Sequence, residues 1–223
     1  MLRLGRSAHR LADHPRSRIS FRRAFGAWRG VTARTEDWLR GIKTEALIVP
    51  NGSTPRGDAH LYVPVSYGQA RKVLRALDVT ANDVVMDVGC GLGRVVALAV
   101  RSRAVRVIGI EFDPFIADAA RQNMSRMTGG DSSTAIITAD AADSDFSEVT
   151  VLLMFNPFGP STMHAMLQHL GASIKNDPRR VRIAYINPTA ESVLSDCEWL
   201  TKTTVSRSAR FRYSVSFWES TDS

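Results

Sequence analysis

Three glycines at two-residue spacing follow an apolar stretch and give the first sign of chemistry in this chain. They lie in the run Asp87-Val88-Gly89-Cys90-Gly91-Leu92-Gly93, between a predicted buried strand at residues 83–88 and a predicted helix at residues 94–101. Glycines let the backbone come close to a ligand, and the first amides of a helix offer it unpaired N–H groups. We therefore expect this turn to bind a nucleotide or a related molecule.

The acidic residues that follow narrow the choice of ligand. The dinucleotide fingerprint Gly-x-Gly-x-x-Gly is not met, because the third glycine comes one position early and Arg94 takes the last place. Glu111 ends the next predicted strand, at residues 106–111, where a carboxylate can accept hydrogen bonds from both hydroxyls of a ribose. Asp140 follows a third predicted strand at residues 135–138. Because ligands of open α/β sheets bind at the carboxyl ends of the strands, we expect these acids beside the turn.

The turn and the two acids together resemble the motifs of class I methyltransferases that use S-adenosylmethionine (SAM). The resemblance implies SAM as the cofactor, held around Asp87, Gly89, Cys90, Gly91 and Gly93. It also implies that Asp140 accepts a hydrogen bond from the adenine amino group, with Asp143 or Asp145 as alternatives, while the backbone amide of Ala141 contacts the ring. Phe112 would cover the adenine face or else belong to the core. No metal is expected.

A segment ahead of the first domain helix carries a further likeness. Leu61-Tyr62-Val63-Pro64-Val65-Ser66-Tyr67 resembles the Tyr-x-Pro-[Ser/Thr] loop that covers the cofactor in DOT1-like lysine methyltransferases. The resemblance implies that Tyr62, Pro64 and Ser66 fold over the methionine end of SAM. An extended lead-in with Ser66 as the helix N-cap is the alternative, and it does not exclude the first role.

The methyl acceptor is expected next to Asn156-Pro157-Phe158, after the fourth predicted strand. This run resembles the [Asn/Asp]-Pro-Pro-[Tyr/Phe] motif of amino-group methyltransferases, except that its second proline is replaced. An amide oxygen and a backbone carbonyl would accept hydrogen bonds from the acceptor N–H, and the aromatic ring would stack on the acceptor. An oxygen or carbon acceptor usually needs a general base, and no His or Lys lies near Asn156 in the sequence before His164. Nitrogen is therefore favoured.

Apolar strands alternate with helical patterns from residue 67 onward, which predicts an α/β fold. We expect a Rossmann-like, seven-stranded and mostly parallel sheet with helices on both faces. Residues 199–204 and 211–218 have no long helix between them, so a C-terminal antiparallel hairpin is expected at the sheet edge. Residues 59–223 would form the methyltransferase domain and residues 1–58 a basic, partly helical extension.

The positive charge is concentrated at the N-terminus. The net charge is +7, and residues 1–43 contain ten arginines and Lys43 against three acids. Phe21, Phe25, Trp28 and Val31 share one face of a predicted helix in this extension. The two cysteines lie far apart at no metal-ligand spacing, and no run is apolar enough to span a membrane. A cytoplasmic protein is expected, with organellar import as the alternative if the source is eukaryotic.

Three functional hypotheses follow. The first is a SAM-dependent N-methyltransferase that acts on an amino group, with protein lysine favoured. The second is a small-molecule methyltransferase in which the N-terminal segment acts as a lid. The third is a nucleic-acid binding or modifying protein whose Arg-rich N-terminus contacts phosphates, although this segment has no recognised nucleic-acid module.

Overall fold

Seven strands form in the described part of the chain, and those at the centre of the sheet are mostly apolar. The computed structural model describes residues 32–45, 58–60, 62–127, 133–203 and 212–221. Its strands are β1 (Val84–Val88), β2 (Arg106–Glu111), β3 (Thr134–Thr138), β4 (Val151–Phe155), β5 (Arg182–Ile186), β6 (Leu200–Thr203) and β7 (Val215–Ser220). The central strand β1 is buried at every position, as expected for a strand covered on both faces.

The strands pair into one sheet with the order β3-β2-β1-β4-β5-β7-β6. The first five strands in this order are parallel to one another, whereas β7 runs antiparallel to both β5 and β6. The chain moves outward from β1 to β3 and then returns to the other side of β1 with β4. This reversal opens a crevice at the carboxyl ends of β1 and β4, which is where ligands of such sheets bind.

Helices cover both faces of the sheet. They are α1 (residues 32–40), α2 (Tyr67–Ala76), α3 (Arg94–Ala99), α4 (Pro114–Arg126), α5 (Pro160–Asn176) and α6 (Glu191–Ser195), with a 3-10 turn at Ala141–Asp143. Helices α2 and α3 share a core with Val85, while α5 and α6 share one with Val84 and Met86. Successive strand residues point to opposite faces, so neighbours in β1 join different cores.

The predicted fold class is confirmed, including the C-terminal antiparallel hairpin. The alternating residue types of 211–218 predict one inward and one outward face for the last strand, and the structure differs from this. Strand β7 lies between β5 and β6, so it is an interior strand, and Ser216, Phe217 and Trp218 are all buried. Only β6 forms the edge on this side of the described sheet.

Two helices differ from what the sequence predicts. Helix α5 is expected from the sequence at residues 163–174 but begins at Pro160, three residues earlier, because proline suits the first helical position. The Asp58 carboxylate then accepts the amides of Ser161 and Thr162 at 2.9 and 3.2 Å, which caps this helix from a distant segment. The short helix α6 was not predicted from the sequence.

The described part of the N-terminal extension packs on the sheet domain. Lys43 and Asn123 exchange two hydrogen bonds of 3.0 Å, and Ile42 is buried against Ala97 and Met127. The expected amphipathic helix at residues 21–31 lies outside the described residues, and the domain boundary near residue 58 stays a prediction. Within the described ranges, no helix is both long and apolar enough to cross a membrane.

Candidate active site

A cleft of about 180 Å³ opens at the carboxyl ends of β1, β2 and β4. Most of the residues singled out in the sequence line it, although they come from segments far apart in the chain. These lining residues are Tyr62, Pro64, Asp87, Gly89, Cys90, Glu111, Phe112, Asp140, Ala141, Asn156, Pro157 and Phe158. Three of the expected cofactor residues, Ser66, Gly91 and Gly93, do not line the cleft wall.

The glycine turn has the backbone conformation that requires glycine. Gly89, Gly91 and Gly93 have φ angles of +70°, +55° and +83°, in the left-handed region that other residues rarely adopt. A Cβ on Gly89 would come within 2.5 Å of the Pro157 side chain, and one on Gly91 would overlap the ring of Tyr62. The turn is thus in close contact with two loops. One contains Tyr62 and is predicted to cover the cofactor, and the other contains Pro157 and is predicted to bind the acceptor.

Glu111 holds this turn in place. Its carboxylate accepts hydrogen bonds from the Gly91 amide at 2.9 Å and the Asp113 amide at 3.0 Å. Burial raises the pKa of Glu111, and these amide donors oppose that rise. The carboxylate therefore lines the cleft from a fixed position, with its ribose-binding role still a prediction.

Asp87 is a buried acid near the carboxyl end of β1. No hydrogen bond reaches its carboxylate from any residue that the structure describes, and the residue is 5% exposed. Burial, with a smaller contribution from the nearby negative charge of Glu111, raises the pKa of Asp87 to about 8. A buried carboxylate of this kind is suited to a ligand that carries positive charge.

Residues 62–66, which are predicted to cover the cofactor and are called the cover segment below, are held by the N-terminal extension. The Tyr62 hydroxyl donates to the Thr44 carbonyl at 3.1 Å, and burial raises the pKa of this phenol. Pro64 lines the cleft. The N-cap alternative for Ser66 is confirmed, because its hydroxyl accepts the Gln69 amide at 3.3 Å, and its contact with a cofactor stays a prediction.

Arg94, which takes the place of the last glycine of the dinucleotide fingerprint, has a structural role. Its guanidinium is buried and donates to the Thr44 hydroxyl at 2.8 Å, the Val65 carbonyl at 2.9 Å and the Glu45 carboxylate at 2.5 Å. It also lies over the Tyr67 ring, 4.7 Å from the ring centre. One side chain thus ties the helix after the glycine turn to both the cover segment and the N-terminal extension.

Asp37 completes this network from helix α1. Its carboxylate accepts the Thr44 amide and hydroxyl at 2.6 and 2.7 Å, and also the Tyr67 hydroxyl. Burial and the bond to Asp37 raise the pKa of Tyr67 to about 12. Sequence analysis missed this role of Asp37, because a single aspartate in an exposed-looking helix gives no local signal.

The predicted adenine end of the cleft contains Phe112, Asp140 and Ala141. The Asp140 carboxylate accepts the Ala142 amide at 2.9 Å and thereby caps the 3-10 turn. Phe112 is 38% exposed and lines the cleft, so it does not belong to the core. The alternative acids Asp143 and Asp145 are not among the lining residues.

Asn156 occupies a constrained position at the predicted acceptor end. Its φ angle is +42°, and its side-chain oxygen accepts hydrogen bonds from the hydroxyls of Tyr185 at 3.2 Å and Thr189 at 2.5 Å. A substrate N–H would have to replace one of these donors to reach that oxygen. The acceptor role of Asn156 stays a prediction, with Tyr185 and Thr189 as partners that the sequence did not indicate.

His60 also lies at this end, which corrects one premise of the sequence analysis. Its Nδ1 is 2.8 Å from the Asn156 carbonyl oxygen, and its backbone amide donates to the Pro157 carbonyl at 2.8 Å. A histidine is therefore next to Asn156 in space, although 96 residues separate the two in the chain. By contrast, His164 is exposed on α5 and contacts Gln168.

Comparisons with known proteins give a matching domain model and a curated relative. Residues 85–177 match the family model described as a methyltransferase domain. A protein-lysine N-methyltransferase from Saccharolobus islandicus is 30% identical over 95 residues, or 42% of this chain. The chain spans 58% of the length of that relative.

Solved structures share the fold at low sequence identity. A dimethyladenosine transferase from Plasmodium falciparum has a TM-score of 0.52 and 16% identity, over 70% of this chain and 62% of its own. Magnesium protoporphyrin IX methyltransferase from Synechocystis, crystallised with SAM, has a TM-score of 0.51 and 18% identity, over 70% and 80% of the two chains. The chain therefore shares the fold of these methyltransferases, and residues 85–177 match the methyltransferase domain model.

Proposed function

We propose that this chain binds SAM in the cleft and transfers its methyl group to an amino group. The observation that carries the proposal is the pair of carboxylates, the buried Asp87 and the partly buried Glu111, at the carboxyl ends of adjacent strands beside the glycine turn. SAM carries an ammonium group and a sulfonium group, and a carboxylate without a partner can neutralise such charge. Glu111 can accept bonds from the ribose hydroxyls at the end of β2.

The residues of the cleft fit this cofactor along its length. Asp140, Ala141 and Phe112 would contact the adenine, and Tyr62 with Pro64 would cover the methionine end. When bound, SAM supplies an activated methyl group, and the protein contributes by aligning the acceptor for in-line displacement.

Calorimetric titration with SAM tests the cofactor proposal. Asp87→Asn and Glu111→Gln should each weaken SAM binding by about 10-fold or more, a loss of ~1.4 kcal/mol. Asp83→Asn is the matched control, because Asp83 precedes the same strand at its opposite end and binds Arg182 and Thr150. The proposal fails if the wild-type protein shows no SAM affinity, or if all three variants bind SAM as well as the wild type does.

A protein lysine is the acceptor that we favour. The Asn156-Pro157-Phe158 run lines the same cleft as the cofactor residues, and one relative over 95 residues bears the name of a protein-lysine methyltransferase. A lysine must lose its proton before it attacks, since its ordinary pKa is ~10.4. The apolar Phe155 and Phe158 in the cleft wall would lower that pKa by desolvation.

A small-molecule acceptor is the second candidate. The hydrogen bond from Tyr62 to Thr44 favours this candidate. This bond connects the N-terminal segment to the cover segment, and such a connection is needed if the N-terminal segment acts as a lid. Incubation of labelled SAM with a cell lysate, followed by separation into protein, nucleic-acid and small-molecule fractions, distinguishes the candidates. Label in protein, stable to acid and base, supports lysine; label in small molecules supports the second candidate; label in nucleic acid contradicts both.

A further inference from the structure

His60 is fixed at the predicted acceptor end of the cleft by contacts on both sides. Its backbone amide donates to the Pro157 carbonyl, and the preceding Ala59 forms an antiparallel bridge with Phe158. Asp58, two residues earlier, caps helix α5 through Ser161 and Thr162. Residues 58–60 are thereby attached to the loop that carries Asn156.

The hydrogen bond of the His60 ring determines which nitrogen carries the proton. A backbone carbonyl can only accept, so Nδ1 must be the N–H that donates to the Asn156 carbonyl at 2.8 Å. In the neutral ring, Nε2 then has a free lone pair. Among the described residues, no hydrogen bond involves Nε2. His60 is also exposed, so a proton taken up at Nε2 can pass on to water.

We propose that His60 accepts the proton that the methyl acceptor releases, an inference that rests on the proposed function. The Nε2 lone pair takes a proton from the substrate ammonium, leaving a neutral amine and a protonated His60. The amine lone pair then forms a bond to the methyl carbon, and the carbon–sulfur bond breaks with its electron pair going to sulfur. The products are a methylated ammonium and S-adenosylhomocysteine, and His60 returns its proton to water.

Besides accepting a proton, the His60 ring could position the Asn156 loop through its Nδ1 bond. The experiment must separate these two roles. His60→Asn separates the two roles, since the asparagine amide can still donate from the place of Nδ1 but has no basic nitrogen. His60→Ala removes both functions, and His164→Asn is the control for loss of a histidine elsewhere on the domain.

The experiment measures the initial rate of methyl transfer from labelled SAM into whichever lysate fraction the wild-type protein labels. Loss of a general base lowers the rate by about 100-fold or more. We expect this loss in both His60→Asn and His60→Ala, with SAM affinity by calorimetry unchanged and with His164→Asn as active as the wild type. Added imidazole should restore part of the rate in His60→Ala and none in the wild type.

The possible outcomes test the role of His60 separately from the proposed function. Wild-type rates in His60→Asn would overturn the inference and leave SAM-dependent transfer standing. If His60→Asn loses SAM binding through misfolding, the response of His60→Ala to imidazole decides, and no recovery counts against the inference. If the wild-type protein binds SAM but labels no fraction, the proposed function fails and the inference fails with it.

Discussion

Replacing Asp87 by asparagine should stabilise the ligand-free protein while weakening SAM binding. The Asp87 carboxylate is buried without a hydrogen bond from the described residues, and its pKa is raised from 3.8 to about 8. Such a shift means that the fold disfavours the charged form. Asparagine has a similar shape and no charge to bury, so the folded state of the variant avoids this cost.

The magnitude follows from the two pKa values. Below pH 3.8 the carboxyl is protonated in both states and costs nothing. Between pH 3.8 and about 8 the unfolded chain releases the proton while the folded chain keeps it, so the free energy of unfolding falls by ~1.4 kcal/mol per pH unit. At pH 7 this amounts to ~4 kcal/mol, and we expect Asp87→Asn to recover roughly 2 to 4 kcal/mol once water entry into the cleft is allowed for.

Urea unfolding at several pH values between 5 and 8 measures the effect. The advantage of Asp87→Asn over the wild type should grow with pH across this range and level off above pH 8. An equal or lower stability of the variant at pH 7.5 would refute the argument that burial without a partner raises the pKa of Asp87.

Asp83→Asn provides a control of opposite sign. Although burial opposes it, the Arg182 guanidinium and neighbouring hydrogen bonds lower the pKa of Asp83 to about 2. Its contribution to stability is therefore present above pH 3.8 and is lost as the pH falls toward 2. Asp83→Asn should lower the free energy of unfolding at pH 7 by about 2 kcal/mol.

Three further predictions concern the same site. Gly91→Ala should weaken SAM binding and lower the melting temperature, because φ is +55° and the new methyl group would overlap the Tyr62 ring. The control Gly68→Ala, in open space on α2, should change neither quantity. Arg94→Lys should cost about 2 to 4 kcal/mol in urea unfolding, since lysine cannot make all three bonds of the buried guanidinium, and an unchanged midpoint would contradict this. SAM binding at pH 7 should release close to one proton as Asp87 ionises, seen as different calorimetric heats in phosphate and Tris; Asp87→Asn should show no such difference.

The acidic lining of the cleft could be predicted from the sequence for a simple reason. Asp87, Glu111 and Asp140 each lie at or just after the end of a predicted strand, and the structure brings all three to one cleft. Parallel strands bring their carboxyl ends to one edge of the sheet, so a local pattern of apolar runs is enough to bring these side chains together. The positive φ angles of the three glycines follow from the same strand-to-helix turn.

The surroundings of Asn156, at the predicted acceptor end, depend on contacts that no local pattern reveals. The absence of a nearby histidine in the sequence favoured nitrogen as the acceptor, yet His60 reaches Asn156 from 96 residues away. Tyr185 and Thr189 likewise meet Asn156 only because β4 and β5 are neighbours in the sheet. The choice of nitrogen therefore rests on the Asn-Pro-Phe motif and no longer on the lack of a base.

The sheet, the glycine turn and the acids around it could be predicted from the sequence, because each depends on hydrophobic periodicity and on residue types within a few positions. The side chains that surround them are known only from the packed fold. Arg94 joins Thr44 across 50 residues, and His60 joins Asn156 across 96. Side-chain hydrogen bonds of this kind form wherever packing brings donor and acceptor to within about 3 Å, and that distance is set by the whole fold.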